Sequence, residues 1–363
     1  MVKNAGLGGG TLWSAVGYVM VLMALAPGSS LASVILSEPV TAEKFLDVKR
    51  LSPLSKQALA EFRSAYRARN EQEFAHLSEK QRKNVVDVFE RCIELGYETK
   101  LDEVNRRLRG LDKLHPGEPV ILWHLAMNYF FIARRMDDGR RDARLELLSK
   151  AIKTSEECIK ISPANADCWL VNAGSRGTRA LVAGIFQTLS TISGVRDSLH
   201  QAFELAKINP YPLAPWRVDT LHAARAALAE FYRLAPDWWL FKLLTGVSGD
   251  KERSWEFARE MSVGEVGTAN IVSRSALCYG ADNDAPAAIA RGIEVVSRGV
   301  EMDLIQSFDE PEYRRLARLY NGIVALKKFE PEDYYELGCH EFGNDDQGKL
   351  RESRASSTLG ANP

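Results

Sequence analysis

Side chains able to do chemistry are few and far apart in this chain. The six histidines, His76, His115, His124, His200, His222 and His340, contain no H-E-x-x-H and no pair four residues apart on one helix. A metal site would have to be assembled from distant segments. His124 and His222 read best as hydrogen-bonded packing residues. The five cysteines, Cys92, Cys158, Cys168, Cys278 and Cys339, are odd in number, widely spread and without C-x-x-C, so no disulfide framework is expected. Cys158 and Cys168 flank Pro163; small core residues at a helix contact are the favoured reading, and a pairing stays open. The acidic pairs Asp137-Asp138 and Asp345-Asp346 sit beside glycines, where turns place them. Gly6, Gly8, Gly9 and Gly10 follow no strand and make no phosphate loop, and there is no G-x-S-x-G. No catalytic residue, cofactor or metal is expected, and the protein reads as a non-enzyme.

Composition narrows the field further. The 363 residues carry 47 Lys+Arg against 48 Asp+Glu, a net charge of −1, so no basic surface is on offer for nucleic acid. An apolar-to-small run from Leu12 to Ala26 follows Lys3, and Pro27-Gly28 then breaks it before Ser30-Leu31-Ala32. Residues 1–32 therefore read as a signal peptide cleaved after about Ala32, which makes the protein periplasmic or secreted. An anchor formed by an uncleaved N-terminal segment is the alternative. No Cys follows this run, which speaks against a lipid anchor there.

The rest of the chain shows a 3.6-residue period and no convincing strand alternation, so an all-α fold is expected. An N-terminal helical segment spans 33–100, with a helix start at Ser52-Pro53 and a capping box Ser78-x-x-Gln81 ahead of a helix that Gly96 stops. Further helices are expected at 119–135, 142–160, 166–182, 195–207, 216–233, 252–261, 265–279, 285–298 and 311–327. The stretch 331–363, poor in apolar residues from Gly343 onward, reads as a disordered tail. Within 101–330 a repeat stands out. Pro116, Pro163 and Pro210 are 47 residues apart, and each precedes a tryptophan: Trp123, Trp169 and Trp216. Helical hairpins of about 47 residues, turning at the prolines and stacked face to face, account for that register. They exclude a β-sheet between Asp112 and Tyr232, and they place the prolines between helices.

The junction ISPANADCWL, with Leu125-Ala126 and Tyr129 after Pro116, resembles the tetratricopeptide (TPR) family. The period departs from the usual ~34 residues of that family. With a signal peptide in front, the segment 176–210 is similar to the T-component of tripartite ATP-independent periplasmic (TRAP) transporters. That resemblance implies a right-handed superhelix of TPR-like hairpins and a homo-oligomer. It also implies a groove for a small amphipathic ligand and a protein partner, a periplasmic solute-binding protein among them. An assembly scaffold with no small-molecule pocket is the alternative.

Carried over residue by residue, the family's concave face receives Trp123, Met127, Phe130 and Phe131 from the first unit. The second unit supplies Leu170, Gly174, Gly177 and Thr178, and the third Arg217, Leu221 and Arg225. An apolar wall, a small-residue floor and two cations suit an amphipathic anion or an acidic peptide. Inter-helix core for the aromatics and a solvated face for the arginines is the competing reading. A cavity in the second unit is expected to include Asn172 and Arg176. Arg176 points inward and needs either a carboxylate such as Glu204 or a ligand. Leu181–Ile192, apolar on nearly all sides, is expected as buried helix, against its own repeat or another subunit.

Overall fold

A computed structural model describes residues 53–97, 100–136, 138–184, 191–214, 218–235, 239–302, 310–326 and 339. The expected signal segment 1–32 and all of 331–363 except Cys339 lie outside these residues. Apart from one two-stranded ladder, the described chain is all-α.

Helix α1 (Pro53–Glu73) opens on Pro53, whose fixed φ suits a first helical position. Helix α2 (Glu79–Tyr97) follows Ser78, whose N–H donates to Gln81 Oε1 at 3.2 Å; the helix runs one residue past Gly96. Helix α3 (Leu101–Leu114) buries one stripe, Leu101, Val104, Leu108 and Leu111. Helix α4 (Pro119–Arg135) starts on a proline and coincides with the expected 119–135. After a single 3-10 turn come α5 (Arg141–Ile161) and α6 (Ala166–Ala183). The Asn165 side chain caps α6 by accepting from the Asp167 and Cys168 N–H groups at 2.9 and 3.3 Å. Gly184, at φ +99°, ends it, a conformation that glycine adopts freely. The expected buried helix through Leu181–Ile192 is thus interrupted, and residues 185–190 lie outside the described chain. Helix α7 (Ile192–Ala206) completes the second hairpin.

The third junction departs from the other two. Strand β1 (Pro212–Ala214) pairs antiparallel with β2 (Val218–Asp219), a small sheet where the repeat excludes one. Pro210, Pro212 and Pro215 fall within six residues and lack the N–H groups a helix interior needs, and the described residues on either side of 215–217 pair as a bulged antiparallel ladder. Helix α8 (Thr220–Leu234) therefore begins beyond Trp216, which with Arg217 lies outside the described residues. The three repeat prolines do sit between helices. Helices α9 (Trp239–Thr245), α10 (Lys251–Arg259), α11 (Val266–Asp282), α12 (Pro286–Gly299) and α13 (Glu310–Leu326) follow. The short α9 has no counterpart in the sequence pattern.

Two kinds of helix build the body. Helix α5 buries five residues, Arg144, Leu148, Ala151, Ser155 and Cys158, in one stripe at alternating four- and three-residue steps. Helix α6 instead buries thirteen of its eighteen, on all sides. Helices α8 and α11 are buried in the same all-round manner. The neighbours α4 and α6, α6 and α8, and α8 and α11 touch in turn, forming an inner layer. Against it pack the one-striped α3, α5, α7, α10 and α12. Helices α1 and α2, through Phe62, Tyr66 and Phe89, and Phe74 in the turn between them join the same apolar cluster as α3 and α4, so this core runs without a break across residue 100.

Four cysteines are bonded. Cys158 at the end of α5 joins Cys168 in the first turn of α6, with Cα atoms 5.7 Å apart. Cys278 of α11 joins Cys339, inside the stretch read as a tail. The favoured reading of Cys158 and Cys168 as unpaired core residues is corrected, the pairing left open being made, and Cys278–Cys339 forms a bond where no framework was expected. The Pro163 turn returns the chain so sharply that residues ten apart come within bonding range. Cys92 stays free and buried, and burial pushes its thiol up to about 12.

Two measurements check this packing. A Cβ on Gly292 would lie 2.6 and 2.8 Å from Leu277 side-chain atoms and 3.1 Å from the Ser273 carbonyl, whereas Gly110 on exposed α3 has open space. In urea melts, Gly292→Ala is expected to lose about 1–3 kcal/mol and Gly110→Ala to gain up to about 1 kcal/mol. Alkylation of the denatured, unreduced protein should label Cys92 alone; five labelled cysteines would contradict the two bonds.

Candidate functional site

The expected aromatic wall is packed inside the protein. Trp123 and Phe130 are fully buried, with Trp123 edge-on to Tyr211 at 5.0 Å and Phe130 against Ala133, Leu148 and Val182. Met127 and Phe131 are half-buried against these clusters. The floor residues Gly174, Gly177 and Thr178 are buried as well. None of these seven lines the cleft that lies between α5 and α6; Trp123 packs with rings of α1, α2 and the third junction, and Phe130 with side chains of α5 and α6. Asn172 is buried and donates through Nδ2 to Ser155 Oγ at 3.0 Å. Arg225 pairs with Glu260 at 2.8 Å and sits over the Phe203 ring, apart from the others.

Arg176 is where the charge gathers. Its Nη2 meets Glu156 of α5 at 2.5 Å; the expected partner Glu204 is instead held by Lys207. The reason is rotational: α6 packs on α5 as closely as on α7, and position 176 faces back toward α5. Arg176 lines a cleft of about 260 Å³ with Ser149, Ile152, Lys153, Glu156, Arg179 and Thr191. Arg179 donates through Nε to Ser149 Oγ at 3.3 Å, and the Arg176 Nε is buried with no acceptor. Three cations thus face one carboxylate among the described lining residues. The sequence carries a signal for this that pairing by repeat position misses. Arg176 and Arg179 are three apart on one helix, and Ser149, Lys153 and Glu156 are four and three apart on the other, so each set shares a face.

A second gathering of positive charge draws on arginines of α4, α5 and α13. Arg134 is half-buried over the Phe130 ring, and burial, with the nearby charges of Arg315, Arg135 and Arg144, pushes it down to about 9. Arg315 is paired with the buried Glu312 at 3.0 Å, which also accepts from Asn270 Nδ2 at 3.0 Å. Arg134 and Arg315 are 181 apart in the chain, so spacing could not reveal their influence on each other.

A set of buried polar groups forms a structural network between α1, α4, α6 and the third junction. His124 donates through Nδ1 to the Val120 carbonyl at 2.7 Å and accepts at Nε2 from the Tyr66 hydroxyl at 2.8 Å. Burial holds it down to about 3, so it is neutral, the packing role expected of it. The Tyr211 hydroxyl donates to Asn70 Oδ1 at 2.8 Å, and Thr220 Oγ1 donates to Asp167 Oδ1 at 2.6 Å. These bonds fasten α1 and α6 to the third junction.

In comparisons with known proteins, no family model and no curated protein matches this chain.

Burial pushes Asp167 up to about 7, against the opposing Thr220 bond. The unfolded carboxyl keeps its usual value near 4, so between about pH 4 and 7 the folded state holds the extra proton. That contribution is complete at low pH and is lost as pH rises through 7. His124 and His222, held down to about 3 and about 4 by burial, act in the opposite sense below about 6.5 and mask it in the wild type. Asp167→Asn isolates it: relative to wild type, the variant is expected to gain about 2 kcal/mol between pH 5 and pH 8 in chemical melts. A pH-independent difference would place no buried proton on Asp167.

Proposed function

We propose that this is a non-catalytic, exported helical-repeat protein that binds a small amphipathic anion or an acidic peptide end at the cleft between α5 and α6. The carrying observation is the excess of cations there: Lys153, Arg176 and Arg179 against Glu156, with a buried Arg176 Nε lacking an acceptor. A guanidinium edge buried without a partner costs free energy that a ligand carboxylate or phosphate would recover, often through two parallel bonds. The apolar arm of Ile152 gives such a ligand a surface for its non-polar part.

Two further observations support the reading. Hairpins stacked through one inner layer agree with the TPR-like superhelix, a fold that presents surfaces for binding. Two disulfides suit an oxidising compartment, in line with the leader-like segment 1–32. On this reading the protein holds or passes an anionic solute in the cell envelope beside a solute-binding partner, as the TRAP resemblance implies.

Native mass spectrometry of the protein purified without denaturation tests this. Wild type is expected to carry an added small mass that Arg176→Ala lacks, with melting temperatures within a few degrees, since a half-exposed ion pair contributes at most about 1 kcal/mol. A large drop in melting temperature with the adduct unchanged would make Arg176 a structural residue.

A further inference from the structure

Five large apolar side chains are strongly exposed among the described residues: Leu114, Ile161, Ile208, Leu243 and Leu244. The first three occupy one repeat position. They lie 47 apart, each preceded by a lysine and followed two residues on by the repeat proline: Lys113-Leu114-His115-Pro116, Lys160-Ile161-Ser162-Pro163 and Lys207-Ile208-Asn209-Pro210. Their exposures are 66%, 48% and 83%, and all three lysines are exposed. Leu114 and Ile161 are the last residues of α3 and α5, and Ile208 lies two residues past α7; all three stand out into solvent.

The three turns share one edge of the molecule. A Cβ on Gly117, in the first turn, would lie 3.7 Å from Ile161 Cδ1 in the second. Asp167, opening α6 after the second turn, bonds Thr220 at the start of α8 beyond the third. Trp169 belongs to the same edge, half-buried, with its Nε1 donating to the Pro163 carbonyl at 2.8 Å. The edge thus alternates lysine and aliphatic side chains, with a tryptophan tied to the middle turn.

We infer that this edge docks on a lipid surface bearing anionic headgroups. Aliphatic tips that enter the headgroup layer, lysines whose stems lie along it, and a tryptophan at its level are the chemistry of interfacial binding. A protein partner fits less well, because protein interface cores are depleted in lysine and rely on shape-matched pockets. Three separate knobs, each beside a long charged chain, suit a fluid surface. Lys207 is paired with Glu204 at 2.7 Å, and a pair this exposed yields readily to headgroup phosphates. This inference is independent of the α5/α6 cleft.

Sedimentation with vesicles tests it, using phosphatidylglycerol mixed with phosphatidylcholine against phosphatidylcholine alone. Wild type is expected to bind the anionic vesicles, more weakly in high salt. The triple variant Lys113→Gln/Lys160→Gln/Lys207→Gln should bind about a hundredfold more weakly. Leu114→Ser/Ile161→Ser/Ile208→Ser should lose binding too, with unchanged circular dichroism because the replaced groups are solvent-exposed. No binding by wild type, or equal binding by wild type and both variants, overturns the inference. So does self-association of wild type that the serine variant abolishes, which would make a second copy of the chain the occupant.

Discussion

A helix that is apolar on all sides cannot end at the surface, and this requirement organises the molecule. Helices α4, α6, α8 and α11 each bury residues around their full circumference. Burial of that kind needs cover on both faces of the layer they form. The outer helices α3, α5, α7, α10 and α12 supply one cover with a single apolar stripe each. At the amino-terminal end, α1 and α2 add their rings to the cluster around Trp123. Small residues let the backbones approach. Ala223, Ala224, Ala226, Ala227 and Ala229 line α8, and Gly292 of α12 meets Leu277 at a distance that leaves no room for a methyl group.

Trp123 Nε1, Ser175 Oγ and Thr178 Oγ1 are buried without a hydrogen-bond partner, but several of the buried polar groups are paired. His124, Tyr66, Asn70, Tyr211, Thr220 and Asp167 form pairs that join four segments, and burial keeps His124 uncharged. Charge that is not matched in this way collects between α5 and α6, at the half-exposed boundary of the layer. Paired polar groups in the core and excess charge at its margin thus separate the residues that hold the fold from those free to bind. The same division explains why the aromatic residues expected to form a binding wall became core.

Much of the helical frame was legible in the residues. Pro119 and Arg135 bound α4 as read, and α6 opens at Ala166 because Asn165 caps it, both set by local chemistry. Pro116, Pro163 and Pro210 lie between helices, as their common spacing led one to expect. What periodicity could not supply was the choice among faces. It gives a stripe but not which neighbour the stripe meets, so Arg176 was turned toward Glu204 although α5 and Glu156 hold it. The third junction failed for a related reason. Its proline spacing matches the repeat, yet the segment carries two extra prolines and its described residues pair as a two-stranded ladder, with Pro212 in β1. Pairings between distant segments, Cys278 with Cys339 or Asn270 with Glu312, leave no trace in spacing at all.

The claim beneath these is that the four inner helices form one continuous layer whose members hold each other folded. Hydrogen–deuterium exchange read by mass spectrometry along the chain addresses it most directly. The account predicts that amides of α4, α6, α8 and α11 share the slowest exchange and, in rising urea, open together after the outer helices. Exchange of α6 well before α4 and α8, as an independent unit, would contradict it.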